Sequence, residues 1–136
     1  MLNSESTAIS RIINSEVVHR HFGYWPNFHD AEIKRVIFES NPGYHPSVTV
    51  LLSAFERTQK TDEIGGYKIL NNCDIQFQFN GIRAMEFDNF SHQNAILYLA
   101  FEEAEDTIKC TIDAATGLEA VIVAEEIIVT SLTPTQ

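Results

Sequence analysis

Cysteine is scarce in this chain. Cys73 and Cys110 are the only two among 136 residues, and no Cys-x-x-Cys or other metal-ligand spacing relates them. A zinc ribbon is therefore excluded, and in a reducing compartment both are expected as free thiols. Long hydrophobic runs are missing too. The longest apolar stretches, Ala95–Phe101 and Ala120–Ala124, fall far short of the roughly 18 residues a membrane span requires. The N-terminal stretch MLNSESTAIS has no basic segment followed by an apolar one, so it does not resemble a secretory signal, and a cytoplasmic protein is expected.

Positive charge is the next shortage. Nine Lys and Arg face 19 Asp and Glu, a formal net charge of −10. That balance argues against nucleic acid or an anionic membrane as a direct partner, since both attract basic surfaces. It suits a basic protein instead. Catalytic signatures are also lacking: there is no phosphate-cradling glycine loop, GxSxG elbow or HExxH helix. No metal and no cofactor is expected.

What is present describes one globular unit. With 44% hydrophobic and 21% charged residues, the chain can bury a continuous core, and residues 1–136 are read as a single domain. From Ser4 to Phe22 the apolar residues Ile9, Ile12, Ile13, Val17, Val18 and Phe22 follow a spacing nearer 3.6 than 2, which predicts one helix or two short ones. Gly23 and Pro26 stop it.

Beyond Trp25 the period changes to two. Strands are predicted over Glu32–Glu39 and Val48–Phe55, then a polar loop over Arg57–Glu63 with a bend at Gly65-Gly66. Asp74–Asn80 alternates cleanly, with Ile75, Phe77 and Phe79 on one face. Asn80-Gly81 predicts a tight hairpin turn, with Ile82–Phe87 returning from it. Ala95–Phe101, Thr107–Asp113 and Leu118–Thr130 complete the set, with a bulge or exposed rim at Glu125-Glu126. Cys110 falls in register with Ile108 and Ile112 and is expected in the core. The fold expected is α+β: an N-terminal helical segment packed on a strongly twisted, mainly antiparallel sheet of about seven strands, curling toward a half-barrel. Ala95–Phe101 is apolar on both faces and needs a cover, which a homodimer or a closed barrel would supply.

Functional-looking side chains are densest over Trp25-Pro26-Asn27-Phe28-His29-Asp30-Ala31-Glu32. If Asp30 and Glu32 share a strand, their carboxylates point to one side. They could then act as general acid and base, or join His29 as a small-ligand or metal-binding corner. The competing reading is structural: Trp25 packs the helix-to-sheet corner and Asp30 serves the turn. His19 and His21 point to nearly opposite sides of the predicted helix, so they would not chelate together. His92 with Cys73 could be imagined as base and nucleophile, but no third group orients them.

The acidic residues cluster late in the chain. From Glu102 to Glu126 eight acids face Lys109 alone, a net of −7, while the remainder carries only −3. Glu102, Glu103, Glu105 and Asp106 fall in one turn, and Asp113 and Glu119 flank another. The two turns lie at opposite ends of the Thr107–Asp113 strand, so the charge is expected to spread along a sheet edge. These six are the candidate partner-binding residues, because a broad acidic surface steers a basic partner and excludes wrong ones. The competing role is solubility and protection of edge strands.

The run FGYWPNFHDAEI, Phe22 to Ile33, resembles the opening motif of the immunity protein 50 family of bacterial polymorphic toxin systems. Phe79-Asn80-Gly81-Ile82 and Phe87-Asp88-Asn89-Phe90-Ser91-His92-Gln93-Asn94 are similar to that family as well. The resemblance implies a non-catalytic protein that neutralises a cognate toxin by binding it. Trp25, His29, Asp30 and Glu32 would then form either a second binding patch or a structural corner.

Overall fold

A computed structural model describes residues 4–61 and 67–135, with side chains described for 7–56 and 71–135. Two short helices open the chain, α1 (Ser4–Ser10) and α2 (Ser15–Phe22). Six strands follow among the described residues: β1 (Glu32–Glu39), β2 (Ser47–Thr61), β3 (Tyr67–Asp88), β4 (Ala95–Glu103), β5 (Ile108–Thr116) and β6 (Glu119–Pro134). All their pairings are antiparallel, and the order β1-β2-β3-β6-β5-β4 closes into a barrel. The α+β expectation holds; the strands number six where about seven were expected, and of the two covers expected for Ala95–Phe101 the sheet takes the closed barrel, going beyond a half-barrel.

The strand count changes at Asn80-Gly81. A type I′ turn needs positive φ at both central residues, and only Gly81 has it, at 65°. The chain kinks there and runs on, so the two predicted strands merge into one of 22 residues. Straight, that length would span about 70 Å, against a radius of gyration of roughly 14 Å for a chain of this size. Bending is therefore obligatory. The β3–β6 register slips between Ile82 and Ala84, so the bulge expected at Glu125-Glu126 lies on the facing strand, at Arg83. The Ile82 N–H donates to the Pro46 carbonyl at 3.0 Å. β2 likewise runs past Phe55 to Thr61, so the first part of the predicted polar loop is strand. The Gly65-Gly66 bend lies outside the described residues.

The helical segment divides in two. Asn14 takes φ 67°, and Ile13 leaves the helix to bridge β6 in parallel. Its N–H donates to the Ile127 carbonyl and its carbonyl accepts the Val129 N–H, both at 2.9 Å. Gly23 ends α2 as expected, its N–H returning to the His19 carbonyl at 2.7 Å. α1 packs on β4 and α2 on β6.

Alternation fills the barrel. Cys73, Ile75, Phe77 and Phe79 of β3 and Ile108, Cys110 and Ile112 of β5 are buried, as their period of two predicts. Trp25 inserts edge-on against Phe28, Phe77 and Phe101, with ring centroids 5.7, 6.4 and 5.9 Å away. Such edge-to-face pairs add roughly 0.5–1.5 kcal/mol each beyond the area they bury. The tryptophan thus pins the segment after α2 onto the barrel.

Candidate partner-binding surfaces

The Trp25–Glu32 motif forms the seam where β1 meets β4. The strands share one ladder pair, Glu32 with Ala95, and irregular backbone bonds extend it. Asp30 N–H donates to Ile96 O and Ile96 N–H to Ala31 O at 2.8 Å, and Ile33 N–H donates to Asn94 O at 2.9 Å. Beyond that point the β1-facing edge of β4 has no ladder pair among the described residues, and side chains occupy that edge. His29 donates from Nδ1 to the Leu97 carbonyl at 3.0 Å, while its own backbone N–H caps on Asn27 Oδ1 at 2.9 Å. At the far end of β4, Arg11 Nη1 donates to the Ala104 carbonyl at 2.8 Å.

Asp30 and Glu32 do not share a strand face. Asp30 sits before β1 in a left-handed conformation, φ 69°, and its carboxylate lies 3.6 Å from His29 Nε2. Glu32 turns the other way and accepts the Asn94 N–H at 2.5 Å. Each is committed to a different part of the seam. Among the described residues no group of three or more His, Cys, Asp or Glu side chains is placed to hold a metal ion.

Asn94 is the hub of this seam and is only 3% exposed. Its Oδ1 accepts the Ser91 and Leu118 N–H groups at 2.9 and 3.1 Å, and its Nδ2 donates to the Ser91 carbonyl at 2.9 Å. Sequence reasoning gave it no role of its own. The signal available was an amide placed between a turn and an apolar strand.

The acidic residues fall into two groups at opposite ends of β5. The six acidic side chains are all exposed, but no sheet edge links the two groups, because β5 pairs on one side with β4 and on the other with β6. At the β4–β5 turn, Glu103 is paired with Arg11 at 3.2 Å and Glu102 stands opposite Lys109. Glu105 and Asp106 are exposed beside them. At the other end Asp113 and Glu119 are joined by Glu86 and Asp88 of β3, which sequence reasoning missed. Asp88 stands directly opposite Glu119 in the β3–β6 ladder, and all four carboxylates line one shallow outer groove. Among the described residues none of these four has a cation within pairing distance. Glu86 and Asp88 do alternate outward about Phe87 in the sequence, but the register that brings them to Glu119 is not written there.

At this same end the mouth of the barrel is apolar. Val36 and Phe38 of β1 stand opposite Val50 and Val48, and Phe87 stands opposite Ala120, so all three point to the inner side of the sheet. With Phe90 and Leu118 they line a cavity of about 180 Å³. Phe38 meets Phe87 edge-to-face at 4.9 Å. Phe38 and Phe90 nonetheless remain 54% and 56% exposed.

Other reactive groups are held quiet. Cys73 and Cys110 are buried free thiols. Burial pushes the Cys73 thiol up to about 11 and raises Cys110 further. His92 contacts the Ser91 hydroxyl at 3.2 Å in an exposed loop and has no contact with Cys73. Glu125 accepts from the Tyr44 hydroxyl at 2.7 Å and from Arg83 Nε at 2.8 Å. Those two bonds, Tyr44 first, hold its carboxyl below the usual range.

No curated protein and no solved structure matches the chain. A family model described as immunity protein 50 matches residues 14–135. The match takes in the seam motif, all six strands and both acidic turns, and on it this protein belongs to the immunity protein 50 family.

Proposed function

We propose that this protein is a cytoplasmic, non-catalytic immunity protein that binds a cognate bacterial toxin and neutralises it by occupying its surface. The family match over residues 14–135 carries this reading. The net charge of −10 supports a basic toxin, since complementary potentials accelerate encounter and penalise wrong partners. Glu102, Glu103, Glu105, Asp106, Asp113 and Glu119 are the proposed steering residues. Trp25, His29 and Glu32 are read as structural, because their side chains are engaged in the core and the seam. The same engagement disfavours a ligand-binding or metal-binding corner there.

Co-expression tests the class. If a gene beside this one encodes a toxin, growth arrested by that toxin should be restored by this protein, and the two should co-purify. Arrest that persists despite soluble protein would overturn the reading. For the electrostatic part, association should slow as salt rises; a salt-independent on-rate would remove it.

A further inference from the structure

We infer that the apolar mouth of the barrel is the anchor pocket for the partner, and that it takes an aliphatic or aromatic side chain flanked by Lys or Arg. This rests on the immunity reading and locates its site. Three observations carry it. Phe38 and Phe90 are among the most exposed large apolar side chains of the molecule, although Phe38 points to the inner side of the sheet. They border a cavity of about 180 Å³, room for one side chain. Glu86, Asp88, Asp113 and Glu119 crowd the outer face of the same barrel end with no cation among the described residues to neutralise them.

Together these match the anatomy of a binding hot spot: an aromatic-lined pocket that is desolvated on binding, with a charged rim that orients the approach. The opposite end lacks this combination. There Arg11 already pairs with Glu103, and α1 packs against β4. Charge also selects the occupant. A second copy of this chain would set one acidic rim against another, a like-charge juxtaposition that disfavours association. A basic segment with an apolar tip satisfies both the pocket and the rim.

The test has two arms. In the first, the toxin domain that co-expression identifies as neutralised by this protein is purified and bound to the intact protein and to four variants. Phe38→Ala with Phe90→Ser should weaken binding by about 30-fold or more, mainly through faster dissociation. Glu86→Lys with Asp88→Lys and Glu119→Lys should slow association about tenfold. Glu102→Lys with Glu103→Lys and Glu105→Lys, at the far end, should change dissociation by less than about threefold. Phe90→Ser alone, in an exposed loop, guards against misfolding of the double variant and should retain a measurable part of the loss. Dissociation unchanged by the pocket variants, or a loss confined to the far-end variant, overturns the pocket while leaving the immunity reading intact.

The second arm needs no toxin. A short peptide alternating arginine with leucine should shift the amide resonances around Phe38, Phe87 and Phe90. A peptide alternating arginine with serine should not. Equal shifts from both peptides, or shifts centred elsewhere, overturn the pocket independently. A wild-type protein that binds the leucine peptide at the mouth but not the toxin would instead sink the immunity reading. Concentration-dependent dimerisation abolished by Phe38→Ala would assign the mouth to self-association and overturn the proposal.

Discussion

The Glu32 carboxylate accepts the backbone N–H of Asn94 across the seam that closes the barrel. The two residues lie 62 positions apart in the chain, yet this bond stands beside the single ladder pair joining β1 to β4. A barrel closed by one pair needs help from side chains: Glu32 and His29 reach across it, and the Asn94 amide fixes the Ser91 turn and Leu118 beside it.

Replacing Asn94 with alanine should therefore cost more than an average polar deletion. It would leave the Leu118 N–H buried without a partner and free the Ser91 turn, each at about 1–3 kcal/mol. Equilibrium urea unfolding should show a loss of about 2–4 kcal/mol for Asn94→Ala. Glu32→Gln, whose amide oxygen can still accept from Asn94, should cost about 1 kcal/mol or less. Equal losses in the two variants would mean that the amide hub is not what holds the seam.

Gly117 makes the neighbouring prediction. Its φ is 84°, and an added Cβ would lie 2.2 Å from the Gln93 carbonyl oxygen and 2.5 Å from Asn94 Oδ1. Backbone and a buried amide cannot swing away, so Gly117→Ala should destabilise by about 3 kcal/mol or more. At Gly81 the nearest atoms to an added Cβ belong to the Glu125 side chain, which can give way by loosening its Tyr44 and Arg83 bonds where backbone cannot, so Gly81→Ala should destabilise less than Gly117→Ala. Thermal melts of the pair decide it, and the reverse order would discredit the tight approach of the β5–β6 turn to the seam.

Thiol chemistry gives a pH prediction. Burial favours the neutral thiol in the folded state, so Cys73 ionises only near 11. The unfolded chain ionises near about 8.5. Above that point it binds fewer protons than the folded state, and stability falls as pH rises toward 11. The contribution is complete below about pH 8.5. A thiol reagent at pH 8 should label neither cysteine in native protein and both in urea. Rapid native labelling at Cys73 would show that its end of β3 opens far more readily than its burial suggests.

How much of this was written in the sequence differs from element to element. β1 was legible to the residue, because Asn41-Pro42-Gly43 punctuates it just after Glu39, although its burial does not alternate. The core face of β3 was equally plain in Ile75, Phe77 and Phe79. Asn80-Gly81 misled because the dipeptide suits two outcomes: a hairpin if both residues take positive φ, a kink if only glycine does. The neighbours decide, here the Ile82 bond to Pro46 and the Glu125 side chain against Gly81. Barrel closure was legible only as one of two covers for the doubly apolar Ala95–Phe101, and for a similar reason the sequence did not decide between them. Closure depends on His29, Glu32 and Asn94 finding partners more than 60 residues away, and local period carries no such information. The acidic groove fell between the two cases: the outward positions of Glu86 and Asp88 could be read, their meeting with Glu119 could not.

That meeting carries the last prediction. Like charges directly opposite on a sheet are destabilising, and opposite charges in the same place contribute roughly 0.2–1 kcal/mol. Asp88 faces Glu119 across the ladder, with Glu86 and Asp113 in the same groove. Glu119→Lys should therefore raise stability by about 0.5–1 kcal/mol at low ionic strength. The gain should shrink toward zero near 1 M salt, where the screening length falls to about 3 Å. The same variant should bind a basic partner more slowly. A protein that becomes more stable and less competent through one substitution has kept its repulsion for use. If Glu119→Lys leaves the urea midpoint unmoved at low salt, the carboxylates do not repel one another, and the groove is ordinary solvated surface.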